Sequence, residues 1–333
     1  MKGRSGHKTF TKVTSCKYRT LNKMNLIAGI TNNMCYFYTG FQTCYMKRRK
    51  MIESMAGAAF VTAVTPLNMA ISGDGKGNGP LKGNIHHSVS QWCYGDIPLE
   101  TFAKAVKEMG LESIELLGEK DWPVVQKAGL KCAVGYATEL GIPKGFNRIA
   151  NHERLIADFT AMIPRAAAAG IPNLICFSGN REGQDDNEGL LNCATGIRKI
   201  MPLAEKHGVT ILMELLNSYQ HADYQCDRTS WGAALCEMVG SERFKLLYDI
   251  YHMQIMEGNV IENITRYIKY IGHIHTGGVP GRHEPDETQE LYYPAIMNAL
   301  VKAGYKGYVG QEFVPAMKDK LESLRKAILI CDV

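Results

Sequence analysis

The chain has 333 residues, 45% of them apolar and 21% charged, with a formal net charge of +5. That sum covers two unlike populations: residues 1–50 hold eleven of the 38 Lys and Arg and no Asp or Glu, leaving 27 bases against 33 acids in residues 51–333. An acidic body speaks against a nucleic-acid binder, which concentrates Lys and Arg on its folded surface.

The leader ends in Lys-Arg-Arg-Lys-Met-Ile at residues 47–52, followed by a weakly apolar run at 54–64 and small residues near Ala70. Paired arginines before a modest apolar run resemble a twin-arginine export signal. The run is far short of the roughly 20 apolar residues of a membrane-spanning helix, so no stable membrane span is expected. Met46 directly precedes the paired arginines, so residues 1–45 read as an upstream extension, 46–83 as signal and linker, and 84–333 as the working domain. The same composition also fits a disordered basic tail on a cytoplasmic protein. Localisation is accordingly expected to be periplasmic or exported if the signal is real, and cytoplasmic otherwise.

From residue 84 onward, eight short apolar runs alternate with helical patterns: 85–89, 113–116, 131–134, 173–177, 210–213, 245–248, 271–274 and 307–311. Each is strand length and mostly apolar, as parallel strands buried on both faces are. Amphipathic stretches at 98–109, 152–168, 192–207 and 292–303 fall between them, several closed by glycine. Eight strand-helix units in about 250 residues predict a (β/α)₈ TIM barrel; a doubly wound open sheet is the alternative. The domain's seven cysteines (Cys93, Cys132, Cys176, Cys193, Cys226, Cys236, Cys331) are scattered and odd in number, so no disulfide framework is expected.

Barrel enzymes carry their working groups at the C-terminal ends of strands. Glu214, Asp249, His275 and Glu312 stand just past the fifth to eighth runs. One strand-end carboxylate is ordinarily a helix cap or a salt-bridge partner. Three acids at one barrel mouth repel one another unless a cation neutralises them, and with an imidazole they offer mixed oxygen and nitrogen donors to one divalent ion, Mn²⁺, Mg²⁺, Co²⁺ or Zn²⁺. His86 and His87 on the first strand, and Ser178, Gly179 and Asn180 after the fourth, are expected at the same end without an assigned role. Trp92 and Phe146 are expected as apolar walls of the site or as core.

The stretches Met-Glu-Leu-Leu-Asn at 213–217, Tyr-Asp-Ile-Tyr-His-Met-Gln at 248–254, Gly-Val-Pro-Gly-Arg-His-Glu-Pro at 278–285 and Gly-Gln-Glu-Phe at 310–313 resemble the hydroxypyruvate isomerase group of the xylose isomerase-like barrel superfamily. The resemblance implies one metal ion on Glu214, Asp249, His275 and Glu312, with Glu214 and Glu312 doubling as the acid-base pair. It also implies substrate contacts for His252, in the loop over the metal. Arg282 is placed to grip a carboxylate or hydroxyl of the substrate, or else to pair internally with Glu284 or Asp286. Asn217 is taken with the substrate-binding residues as orienting the loop after the fifth strand, a role not separable from turn-making. The expected partner is a small hydroxy-carbonyl compound of the hydroxypyruvate and tartronate semialdehyde type.

His275 stands where hydroxypyruvate isomerases often carry glutamine and ketose 3-epimerases carry histidine, so isomerisation and epimerisation both remain open. Two further readings are a non-catalytic sugar-binding barrel and a barrel endonuclease of the apurinic type. The second calls for a multi-zinc ligand set and a basic surface, which this acidic domain does not offer. The sequence carries no reading of oligomeric state.

Overall fold

The computed structural model describes residues 80–333 and, within the leader, the backbone of Ile27–Thr31, Met34–Thr39 and Gln42–Lys47. Those three leader segments pair as an antiparallel sheet in chain order, within a unit separate from Lys76–Val333. The paired arginines and the apolar run on which the export signal rests lie outside the described residues.

In the second unit eight strands run parallel: β1 (His86–Ser90), β2 (Ser113–Glu115), β3 (Gly135–Tyr136), β4 (Asn173–Cys176), β5 (Thr210–Glu214), β6 (Phe244–Asp249), β7 (Ile271–Thr276) and β8 (Tyr308–Gln311). They are hydrogen-bonded in the order β2-β1-β8-β7-β6-β5-β4-β3. Parallel bridges Ser113↔Lys131 and Leu117↔Gly135 join the two ends of that series, with the Leu116 N–H donating to Val134 O at 2.8 Å and the Tyr136 N–H to Leu117 O at 3.1 Å. The sheet therefore closes on itself, and the architecture is a (β/α)₈ TIM barrel rather than an open doubly wound sheet.

Side chains alternate across each strand, so the residue two before a strand-end ligand points the same way as the ligand. Leu212 lies below Glu214 and Leu247 below Asp249. With Leu116, Ala133, Val134 and Ile175 these two leucines form a buried apolar plug inside the barrel. A second, larger core fills the space between strands and helices. The plug is the floor on which the polar strand ends stand.

Two expectations need correction. The third strand is displaced from 131–134 to Gly135–Tyr136. Residues 131–134 spend their backbone on β2, and on the other side the Asn173 side-chain amide donates to Ala133 O at 2.7 Å in place of a ladder rung. The helical pattern at 192–207 is two helices, Asp186–Arg198 and Met201–His207. Pro202 lacks an N–H and its ring disfavours helical geometry just before it, so it can open the second helix but not continue the first. All seven cysteines of residues 80–333 are buried and free, and no helix among the described residues is long and apolar enough to cross a membrane.

Candidate metal centre at the barrel mouth

Glu214, Asp249, His275 and Glu312 each bring one ligand atom to the same spot, all four within 4.8 Å of one another, and all four residues are buried. The His275 Nδ1 lies 3.1 Å from Glu312 Oε2 and 3.4 Å from Glu214 Oε1. Asp249 divides its oxygens: Oδ1 accepts the His252 N–H at 3.1 Å and caps the helix Ile250–Met256, leaving Oδ2 to face the centre.

Arg282 lies over these acids. Its guanidinium is 2.5 Å from Glu312 Oε2 and 3.4 Å from Asp249 Oδ2, with the rings of Trp92 and Tyr251 each 5.3 Å away. Trp92 does more than wall the site, for its indole N–H donates to Glu312 Oε1 at 2.7 Å. Arg282 thus pairs with the site acids. Glu284, one of the two partners of the alternative reading, instead accepts the backbone N–H groups of Ala316 and Met317.

The electrostatics mark the centre as short of positive charge. Burial, opposed by Arg282, pushes the Asp249 carboxyl up to about 8, and burial with the nearby Glu312 raises Glu214. Burial works against ionisation of Glu312 too, yet His275 and Arg282 outweigh it and hold that carboxyl well below its usual range. The same acids push the His275 imidazole well above its usual range against the cost of burial, and even so one guanidinium and one imidazole do not offset three buried carboxylates. His275 Nδ1 makes no hydrogen bond although two carboxylates lie beside it. Oxygen donors and an unpaired imidazole nitrogen around a common point are what a divalent cation requires, so the residues fit a metal ion.

His252 is fully buried. Its Nδ1 accepts from the Asn217 backbone N–H at 3.1 Å and stands 2.6 Å from the Asn217 amide nitrogen. Burial, reinforced by Arg282, keeps the ring neutral, so its proton sits on Nε2, which has no hydrogen-bond partner and lies 3.7 Å from Asp249 Oδ2. Asn217 also holds its own turn, accepting from the Gln220 N–H at 2.8 Å. Its bonds are therefore to the loop and to His252.

The other candidates separate. His86 and His87 lie at the opposite end of the barrel: His86 pairs in register with Tyr308, the first residue of β8, while Gln311, its last, pairs with Val89. The expectation that they share the mouth is overturned, because the strand begins at these histidines rather than ending near them. Ser178, Gly179 and Asn180 do lie at the mouth but tie loops together: the Ser178 hydroxyl accepts the Cys226 N–H at 2.9 Å, and Asn180 bridges to Tyr224. Phe146 is core, packed on Phe159.

Sequence reasoning passed over Glu115 and His273. The last residue of β2 is Glu115, whose Oε1 lies 2.9 Å from His273 Nε2 and 2.7 Å from His275 Nε2. The strand-end rule applies to Glu115 as it does to Glu214, but the apolar Leu116 and Leu117 extend the run and hide where the strand stops. His273 is discoverable as the inward residue two before His275.

A closed (β/α)₈ barrel has Glu, Asp, His and Glu converging at the C-terminal ends of four consecutive strands, a buried set that could hold a metal ion at the mouth. The model of the xylose isomerase-like TIM barrel family matches residues 103–327. The chain belongs to that family. Among curated proteins, a 2-oxo-tetronate isomerase of Cupriavidus necator is 42% identical over 112 residues, which cover 34% of this chain and 43% of that protein. A 2-oxo-tetronate isomerase of Pectobacterium atrosepticum is 28% identical over 241 residues, 68% of this chain and 90% of that protein. The hydroxypyruvate isomerase of Escherichia coli is 29% identical over 156 residues, 46% and 60% of the two chains. The match thus spans less than half of the Cupriavidus protein. Among solved structures, one described as AP endonuclease, family 2, from Brucella melitensis superposes with a TM-score of 0.65 at 23% identity, covering 72% of this chain and 97% of that one. At that identity the likeness is one of fold.

Proposed function

We propose that the barrel is a metal-dependent isomerase of a small hydroxy-carbonyl acid of the hydroxypyruvate or 2-oxo-tetronate type. The observation that carries the reading is the convergence of Glu214, Asp249, His275 and Glu312 at one buried point, which sets two glutamates from different strands beside one another. A divalent ion held there would polarise the substrate carbonyl and offset the charge of an enediolate. The protein's own part is proton transfer. One glutamate takes the proton from the carbon bearing the hydroxyl, a proton returns to the former carbonyl carbon, and the hydroxyl proton moves between the two oxygens, so atoms and charge balance. Glu214 and Glu312 come from β5 and β8, so a substrate between them meets a carboxylate on each side. His252 presents its Nε2–H as a donor to a substrate oxygen. Arg282, held between two aromatic rings, supplies the cationic partner for a substrate carboxylate. Both names borne by the curated relatives denote 2-oxo acids with a hydroxyl beside the carbonyl, which supports this substrate class.

The test is the full chain with Mn²⁺ and hydroxypyruvate in deuterated water, following tartronate semialdehyde and deuterium incorporation beside Glu214→Gln. Metal-dependent turnover lost in the variant supports the reading. Bound metal without turnover rejects the substrate. It also turns the question to ketose 3-epimerisation, which the histidine at the third ligand position favours and a ketose panel detects.

A further inference from the structure

Behind His275 lie two residues with no part in the reaction proposed above, His273 and the buried carboxylate Glu115. Glu115, His273 and His275 are all fully buried, and β2 reaches β7 only across the barrel interior, past β1 and β8 in the sheet order. Gly310 on β8 leaves that path clear: a Cβ there would stand 2.2 Å from Glu115 Oε1 and 3.0 Å from His275 Cδ2. A larger residue at 310 would force the Glu115 carboxylate to shift from this position.

From this geometry we infer that Glu115 is a positioning residue of the metal centre, accepting the His275 Nε2–H so that Nδ1 is left bare and aimed at Glu214, Asp249 and Glu312. The inference rests on the metal reading above. Both imidazoles approach the same oxygen, Oε1, through Nε2, at 2.9 and 2.7 Å, an arrangement in which the carboxylate oxygen accepts and each Nε2–H donates. The Nδ1 of His275 is then the nitrogen that can yield its proton to a metal ion, and it is the one beside the site carboxylates. His273 meets His275 edge to face, with centroids 5.1 Å apart and planes at 90°, and stops the ring from turning. Carboxylates behind ligand histidines in this way fix the tautomer and sharpen the donor, and removing one costs about 10–100-fold in metal affinity. The same three side chains are close enough to suggest a second ion. Both Nε2 atoms are already used as donors to Glu115, so neither offers a lone pair to such an ion.

The experiment is Mn²⁺ titration calorimetry on the full chain, comparing wild type, Glu115→Gln, Glu115→Leu, Gly310→Ala and the ligand control Asp249→Asn. Wild type is expected to bind one ion. Glu115→Gln, which keeps an acceptor but not the charge, should weaken binding about tenfold and Glu115→Leu nearer 100-fold. Gly310→Ala should weaken it as well, with no further loss when combined with Glu115→Gln. In the Zn²⁺-loaded wild type, long-range ¹H–¹⁵N spectra should place the His275 proton on Nε2 alone, an arm that holds even if a variant does not fold. An unchanged Kd in folded Glu115→Gln, with wild type binding normally, or a proton on Nδ1, overturns the positioning role and spares the metal reading. No Mn²⁺ uptake by wild type overturns both.

Discussion

At the scale of single residues the mouth of the barrel is defined by how differently its acids are treated. Glu312 is held ionised by His275 and Arg282 and bonded by Trp92, while burial raises Glu214. Replacing either with glutamine removes a proton carrier, so Glu214→Gln and Glu312→Gln are each expected to lower kcat by about 10²–10⁴-fold, read from initial rates of the proposed isomerisation. His87 provides a test at the other end of the barrel. Burial lowers its pKa to about 4 from the usual 6.5, only partly opposed by Asp332. The unfolded chain takes up this proton near pH 6.5 and the folded chain not until about pH 4. The contribution is therefore complete above 6.5 and lost as the pH falls toward 4, amounting to about 3 kcal/mol. Urea unfolding across that window should show wild type losing stability more steeply than His87→Leu, and parallel slopes would refute the assignment.

The elements obey local rules until a neighbour intervenes. Strands β5 to β8 stand where their apolar runs place them, because parallel strands covered on both faces must be apolar along their length. The third strand moved because the backbone of residues 131–134 is claimed by β2 and by the Asn173 amide. Asn173→Leu would leave the Ala133 carbonyl without that donor, and a loss of about 1–3 kcal/mol in urea-unfolding free energy is expected; a neutral result would mean that another group takes over the carbonyl. The floor of the site is similarly open to test. Leu212 is fully buried in the interior plug, so Leu212→Ala should cost about 2–5 kcal/mol by calorimetry, through lost burial and the cavity left behind.

For the whole molecule, closure of the sheet gathers three carboxylates into one buried mouth and leaves them short of positive charge. An ion that binds the folded chain alone stabilises it, by about 2.7 kcal/mol at a hundred times its Kd. Mn²⁺ should therefore raise the Tm in a concentration-dependent way that EDTA reverses, and Asp249→Asn should blunt the rise. The sequence by itself determined the barrel and the four strand-end residues that converge at its mouth, because strand burial and strand ends are local patterns along the chain. It also carried Arg282 and His252 through the resemblance of the stretches that hold them, although His252 lies in the helix Ile250–Met256 and not in a loop as expected. Only the tertiary structure decided that His86 and His87 face the far end, that Arg282 pairs with Glu312 and Asp249 rather than Glu284, and that Glu115 stands behind His275. Those are matters of which residues meet at one height inside a closed barrel. That height is set by the stagger between strands distant in sequence, which no periodicity within a single strand encodes.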